Sequence, residues 1–285
     1  MYKFVLENKR GNRLTFNEIG GDFTITEING LSPAEATINT SDGAYIDGKL
    51  FNSSKVNMRT IQIAFAIENN AAASRIAVYK VLKSKQWIRA YYTNEYRDVY
   101  IDGYVKSIGI SQFAMKQIVT VTIECPSPFW KSSEVMSDEL STVLDAFHFP
   151  FMSTEEPELV FGYLDPVANV EITNQGDLET GLIIELYANS TVSNPRIYDY
   201  VTGDYIALDF TMQEADLITI DTRAGEKTIT LTRNAVRTNI FNALVRGSTW
   251  LQLDFNGGVY AYEVGSGNAG DLVVTINHTN IFEGV

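Results

Sequence analysis

The chain has 285 residues, a hydrophobic fraction of 45% and a formal net charge of −13. That length supports two domains of ordinary size, and that composition excludes a disordered chain. A single cysteine excludes an internal disulfide, and no stretch reaches the roughly 18 apolar residues of a membrane-spanning helix. The opening residues MYKFVLENKR lack the apolar core and small-residue cleavage site of a signal peptide, so synthesis and assembly in a cytoplasm are expected. Charge is uneven: residues 1–132 carry 16 Lys and Arg against 12 Asp and Glu, and residues 133–285 carry 6 against 23. An acidic second half argues against nucleic-acid binding there and reads first as a device for solubility.

In chain order, residues 2–7 and 14–17 flank a polar, Gly-containing turn and read as a hairpin, and 23–28 reads as a third strand. Residues 30–40 are small and polar. Residues 41–58 carry turn signals at Asp42-Gly43, Asp47-Gly48 and Asn52-Ser53-Ser54, with Tyr45, Ile46, Leu50, Phe51 and Val56 between them. That is too few apolar residues for a buried strand pair and too many for a solvated loop. The segment reads either as an arm that packs on something other than its own domain or as a long loop folded back on its own sheet.

Residues 59–67 place Ile61, Ile63, Phe65 and Ile67 on one face of a strand. Residues 71–83 are the helix candidate, with Ala72, Ile76, Tyr79 and Leu82 along one face and Asn69 or Asn70 at its start. Val99, Ile101 and Gly103 then alternate with Tyr100, Asp102 and Tyr104, and Val119, Val121 and Ile123 alternate with threonines and Glu124. Cys125-Pro126-Ser127-Pro128-Phe129-Trp130 is expected to end the sheet, because neither proline has an N–H to give. Phe129 and Trp130 are expected to pack at a domain junction. The composition break at the same place predicts domains over 1–132 and 133–285. The first is a β-rich α+β or open-barrel unit. The second has ten strand-length runs and no helix of normal length, which predicts a sandwich or barrel.

Chemistry is sparse. His148 and His278 lie far from each other in sequence and from Cys125, and neither has the spacing of a metal site or of a nucleophile and its base, so no metal, cofactor or catalytic residue is assigned. Ser153 near His148 and Ser266 near His278 lack an elbow motif. Residues 265–270 match the spacing of a dinucleotide loop, but a strand follows rather than a helix, so a hairpin turn is expected. The carboxylates of Asp138-Glu139 and Glu155-Glu156-Pro157-Glu158 are neighbours that point opposite ways along extended chain, which fits a solvated face. Tyr198, Tyr200, Tyr205, Trp250 and Tyr260 read as cross-strand packing, with a sugar-stacking face as the alternative.

The order of these motifs carries a resemblance. Val99-Tyr100-Ile101-Asp102-Gly103-Tyr104-Val105, then Phe113 and Gln117, then Cys125 to Phe129, resembles the distal tail protein (Dit) family of tailed bacteriophages. Asp47-Gly48, Arg59, Ile61, Ile63, Arg75 and Tyr79 match upstream. Residues 172–177, Asn194-Pro195 and 218–222 match in the second half. The resemblance implies a mainly β protein with an N-terminal ring-forming domain, one helix, an extended arm over about 41–58 and a C-terminal galectin-like β-sandwich. It implies a structural hub of a tail tip or baseplate rather than an enzyme. Its partners would be copies of itself in a hexameric ring, the tail tube protein, the tail-tip protein and a receptor-binding protein. DNA would pass through the ring without being read. Within that frame Tyr45, Ile46, Leu50 and Phe51 are the expected inter-subunit anchors, and Cys125, Pro126, Pro128, Phe129 and Trp130 the domain junction. A cell-wall carbohydrate-binding module is the alternative function.

Overall fold

The computed structural model describes residues 2–43, 45, 47–111, 114, 116–145, 162–166 and 169–285. Ile46, Phe113, His148, Ser153, the carboxylates of 155–158 and the start of the 159–163 run lie outside the described residues. The protein is mainly β, in two compact units: residues 1–134 with 281–285, and residues 135–280.

The first unit contains β1 (Lys3–Asn8), β2 (Arg13–Phe16), β3 (Phe23–Asn29), β4 (Ala36–Asp42), β5 (Lys49–Val56) and β6 (Arg59–Ile67). Helix α1 (Ala71–Val81) follows, then β7 (Trp87–Thr93), β8 (Asp98–Ile110), β9 (Ile118–Cys125) and β10 (Trp130–Ser132). The main sheet runs β2-β1-β7-β8-β9-β6-β3, antiparallel throughout. Period-two alternation puts Phe4 and Leu6, Ile61, Ile63 and Phe65, Val99 and Ile101, and Val119, Val121 and Ile123 into one core. Phe65 packs edge-on against Phe16 and Phe23, with ring centroids 4.8 and 5.7 Å apart.

Helix α1 buries a different stripe from the one expected. Ser74, Val78, Val81 and Leu82 face the core, while Ile76 and Tyr79 are exposed. Two apolar stripes compete on this helix. Ser74 can enter the core because its hydroxyl donates to the Asn69 carbonyl at 2.9 Å. Asn70 occupies the N-cap position without a side-chain cap. At the other end the buried Asn8 amide donates to the carbonyls of Lys80 and Val81.

The prolines do not end the sheet. Strand β8 is 13 residues long. On one edge it pairs with β7, and on the other with β9 at Tyr104–Ile110 and with β10 at Val99 and Tyr100. Residues 126–129 occupy the gap between those two ladders, where no N–H is needed. The chain then re-enters the same sheet.

The second unit is a β-sandwich. One sheet orders Met136–Glu139, Leu272–His278, Thr180–Ala188, Leu217–Asp221, Thr228–Arg233 and Val236–Asn239; the other orders Val170–Ile172, Gly258–Glu263, Arg196–Asp199 and Tyr205–Ala207. Leu182, Ile184, Leu186, Ile218, Ile220, Val274 and Ile276 from the first meet Ile172, Ile197, Ile206 and Tyr260 from the second. Residues 281–285, grouped by sequence with the second half, belong to the first unit. Ile281 and Phe282 pair with Lys131 and Trp130, and Phe282 and Val285 pack on the first core.

Candidate functional site

The segment that stands out is the hairpin of β4 and β5. Among the described residues these strands pair only with each other. Every residue of β5 is exposed, and in β4 only Thr37 is half-buried. The β-branched residues Thr37, Ile38, Thr40 and Val56 favour strands, and Gly48 turns the chain at φ +89°. The hairpin begins at Ala36, earlier than the expected 41, because Thr37, Ile38 and Thr40 already alternate within a stretch that reads as merely small and polar.

A bulge between Asn39 and Thr40 in the register divides the residues between two faces. One face carries Ala36, Ile38, Thr40, Phe51 and Val56, with Ser54 opposite Ile38 and the ion pair of Asp42 and Lys49 at its end. The other carries Thr37, Asn39, Ser41 and Ser53, with Leu50 as its apolar member. Polar side chains stitch that second face together: Thr37 to Asn57 at 2.9 Å, Asn39 to Ser53 at 3.0 Å and Ser41 to Asn52 at 3.2 Å. The first face is left open, with Ile38 63% and Phe51 65% exposed. Tyr45 stands fully exposed in the turn, and Leu50 is about half exposed. Of the four expected anchors, the three described residues lie on this one element.

The Pro-rich segment has a different character. Cys125 and Trp130 are fully buried in the first core, Pro128 and Phe129 half-buried, and Pro126 exposed. Arg59 donates to the Pro128 carbonyl at 2.6 Å and lies over the Trp130 ring, 5.8 Å from its centroid. These residues carry the chain from β9 back into the same sheet at β10. Burial pushes the Cys125 thiol up to about 12, so it stays protonated and inert.

Among the described residues no group of His, Cys, Asp and Glu could hold a metal ion, and no helix is long and apolar enough to cross a membrane. His278 is buried at a strand end, with Asp138 3.9 Å from its Nδ1. Burial lowers its pKa, opposed by Asp138 and the Thr173 backbone. Residues 265–270 connect the two sheets of the sandwich rather than forming a hairpin; a short 3-10 turn, Ala269–Asp271, leads into the strand Leu272–His278. The five aromatic residues do not make one platform. Tyr260 is buried with its hydroxyl donating to Gln252 O, Tyr198 pairs across the ladder with Tyr205, Trp250 packs on Phe241, and Tyr200 is exposed by itself.

Two family models match the chain. A siphovirus-type tail component C-terminal domain matches residues 175–282, and a phage tail protein RIFT-related domain matches residues 14–125, together most of the chain. The Dit protein of phage SPP1 is described as a paradigm of the hub adsorption apparatus in phages infecting Gram-positive bacteria. It shares 14% identity over 98% of this chain and 99% of its own, with a TM-score of 0.68. Chains of the phage P2 baseplate in its activated conformation, solved with Ca and with Sr, share 12% identity over 97% of this chain and 98% of theirs, with TM-scores of 0.51 and 0.52. At such identities the likeness is one of fold. No curated protein matches the chain by sequence.

Proposed function

The chain belongs to the siphovirus-type Dit family of bacteriophage tail proteins, and from that premise we propose that it is the distal hub joining the tail tube to the tail tip or baseplate. Six copies close head-to-tail into a ring, which a heterologous interface does when its rotation closes. One face of the ring receives the tube and the other the tail-tip protein. The second unit, acidic and separately folded, carries peripheral host-recognition components. DNA crosses the ring without being read, assembly takes place in the host cytoplasm, and the protein's role is geometric rather than catalytic.

The observation that carries this reading is the β4–β5 hairpin, which has its own strand pairing and an open apolar face. As the inter-subunit arm, it lays Ile38, Phe51 and Val56 on the neighbouring copy, with Tyr45 and Leu50 as further contacts. Each anchor so buried contributes about 1.5–3 kcal/mol. Cys125, Pro126, Pro128, Phe129 and Trp130 set where the chain leaves the first domain.

Replacing residues 37–55 with a short Gly-Ser linker tests this. No described residue of the hairpin is buried, so the variant is expected to fold with an unchanged melting temperature. Its mass by light scattering should fall to that of a monomer where the parent chain forms a ring, and rings should vanish from electron micrographs. A linker variant that still forms rings would refute the arm.

A further inference from the structure

Arg59 is 2% exposed, and its guanidinium holds four backbone carbonyls. Two belong to Gly30 and Ser32, where the chain leaves β3 for the hairpin, and both accept from Nη1 at 2.5 Å. A third is Pro128, in the segment leading out of the first unit. The fourth is Glu283, in the last five residues, accepting from Nη2 at 2.5 Å. A buried charge needs such partners, because an unmet N–H there is costly.

The same five residues touch the hairpin's root again. The Val285 N–H donates to Leu31 O at 3.1 Å. Gly284 lies so close that a Cβ there would stand 3.1 Å from Pro33 Cδ and 3.3 Å from Leu31 O. Arg97 donates to the Gly284 carbonyl and lies over the Phe282 ring, 4.3 Å from its centroid. The root has little freedom to sit elsewhere. Gly30, at φ +94°, runs so close to β6 that a Cβ would meet Thr60 O at 2.2 Å. Leu31, Phe282 and Val285 each pack against the first core.

We propose that residues 281–285 form a strap that fixes the root of the β4–β5 hairpin, with Arg59 and Arg97 as its positioning residues. Among the described residues the hairpin's strands pair only with each other, so its direction of departure is set at 30–33 and at the closing bond from Asn57 N to Glu35 O. Only Thr279 and Asn280 separate the strap from the strand Leu272–His278 of the second unit. An unseated strap leaves a paired but wandering hairpin. The consequence for assembly rests on the arm reading above; the strap itself does not.

The test uses the full chain, a deletion of 281–285 and the milder Gly284→Val, whose side chain would press on Pro33 and Leu31. Hydrogen exchange followed by mass spectrometry should rise about tenfold or more in peptides covering 30–35 and 57–58 in both variants. Peptides from β8, β9 and 182–188 should keep their protection. Unchanged exchange at 30–35 in both variants would overturn the strap. So would loss of protection in β8 and β9 in both, because residues 281–285 would then be core rather than strap. Light scattering on the same samples separates the two readings. A loosened root with a ring still formed keeps the strap and removes the arm's role in assembly, whereas loss of the ring supports both.

Discussion

Gly103 occupies an inward position of β8 opposite β9. A Cβ there would lie 2.7 Å from Ile123 Cγ2, 2.8 Å from Cys125 Sγ and 2.9 Å from Glu124 O. All three belong to a ladder that cannot retreat, so the glycine in Val99-x-Ile101-x-Gly103-Tyr104-Val105 is a matter of space. Gly103→Ala should destabilise the first unit by about 1–3 kcal/mol through overpacking. Thermal unfolding would show it as a drop of several degrees, and an unchanged melting temperature would count against this packing. His278 makes a second prediction. Its folded pKa lies below the ordinary 6.5 because of burial. As pH falls below that value the unfolded chain takes up a proton that the folded chain resists. The unfolded state then binds more protons, and stability declines from about pH 6.5 downward. The urea midpoint of the second unit should fall over that window, and His278→Leu should flatten the decline. An equal slope in the variant would assign the effect elsewhere.

At the scale of elements, the bulge in the β4–β5 hairpin decides which side chains share a face. Without it, Phe51 would lie with Ser53 and Lys55. With it, Phe51 joins Ile38 and Val56, and Leu50 falls among hydroxyls and amides. Phe51→Ser should therefore weaken self-association more than Leu50→Ser, and neither should change the melting temperature, because both residues are exposed. Concentration-dependent light scattering would measure the difference; a larger effect of Leu50→Ser would place the interface on the opposite face. Helix α1 shows a related effect. A stripe of Ala72, Ile76, Tyr79 and Leu82 is as good a helical face as the one the fold buries. The choice went to the side where Ser74 could satisfy its hydroxyl on the Asn69 carbonyl, just ahead of the helix.

At the scale of the whole molecule, the chain passes between its two units twice, at 134/135 and at 280/281. The first passage runs through the exposed residues Ser133, Glu134 and Val135. Cleavage there should give two fragments on a denaturing gel. They should still elute together under native conditions, because Ile281 and Phe282 remain paired with Lys131 and Trp130 and Glu283 remains bound to Arg59. Fragments that separate freely would mean that the strap holds more weakly than its hydrogen bonds indicate.

Strands such as Arg59–Ile67 and Ile118–Cys125 were legible in the sequence, because their faces repeat every two residues and the signal needs no partner. The change of charge near 132 and the odd mixture of turns and apolar residues in 41–58 were local in the same way. Other features depend on groups distant in the chain. The tandem seating of β9 and β10 along one edge of β8 requires the length of β8. The convergence of Gly30, Ser32, Pro128 and Glu283 on one arginine joins residues up to 224 positions apart. Arg59 and Gly103 are visible in the sequence as motif positions, but no local pattern says what an arginine or a glycine there must touch. Tertiary packing decided this, because the space at Gly103 and the carbonyls at Arg59 are supplied by other strands.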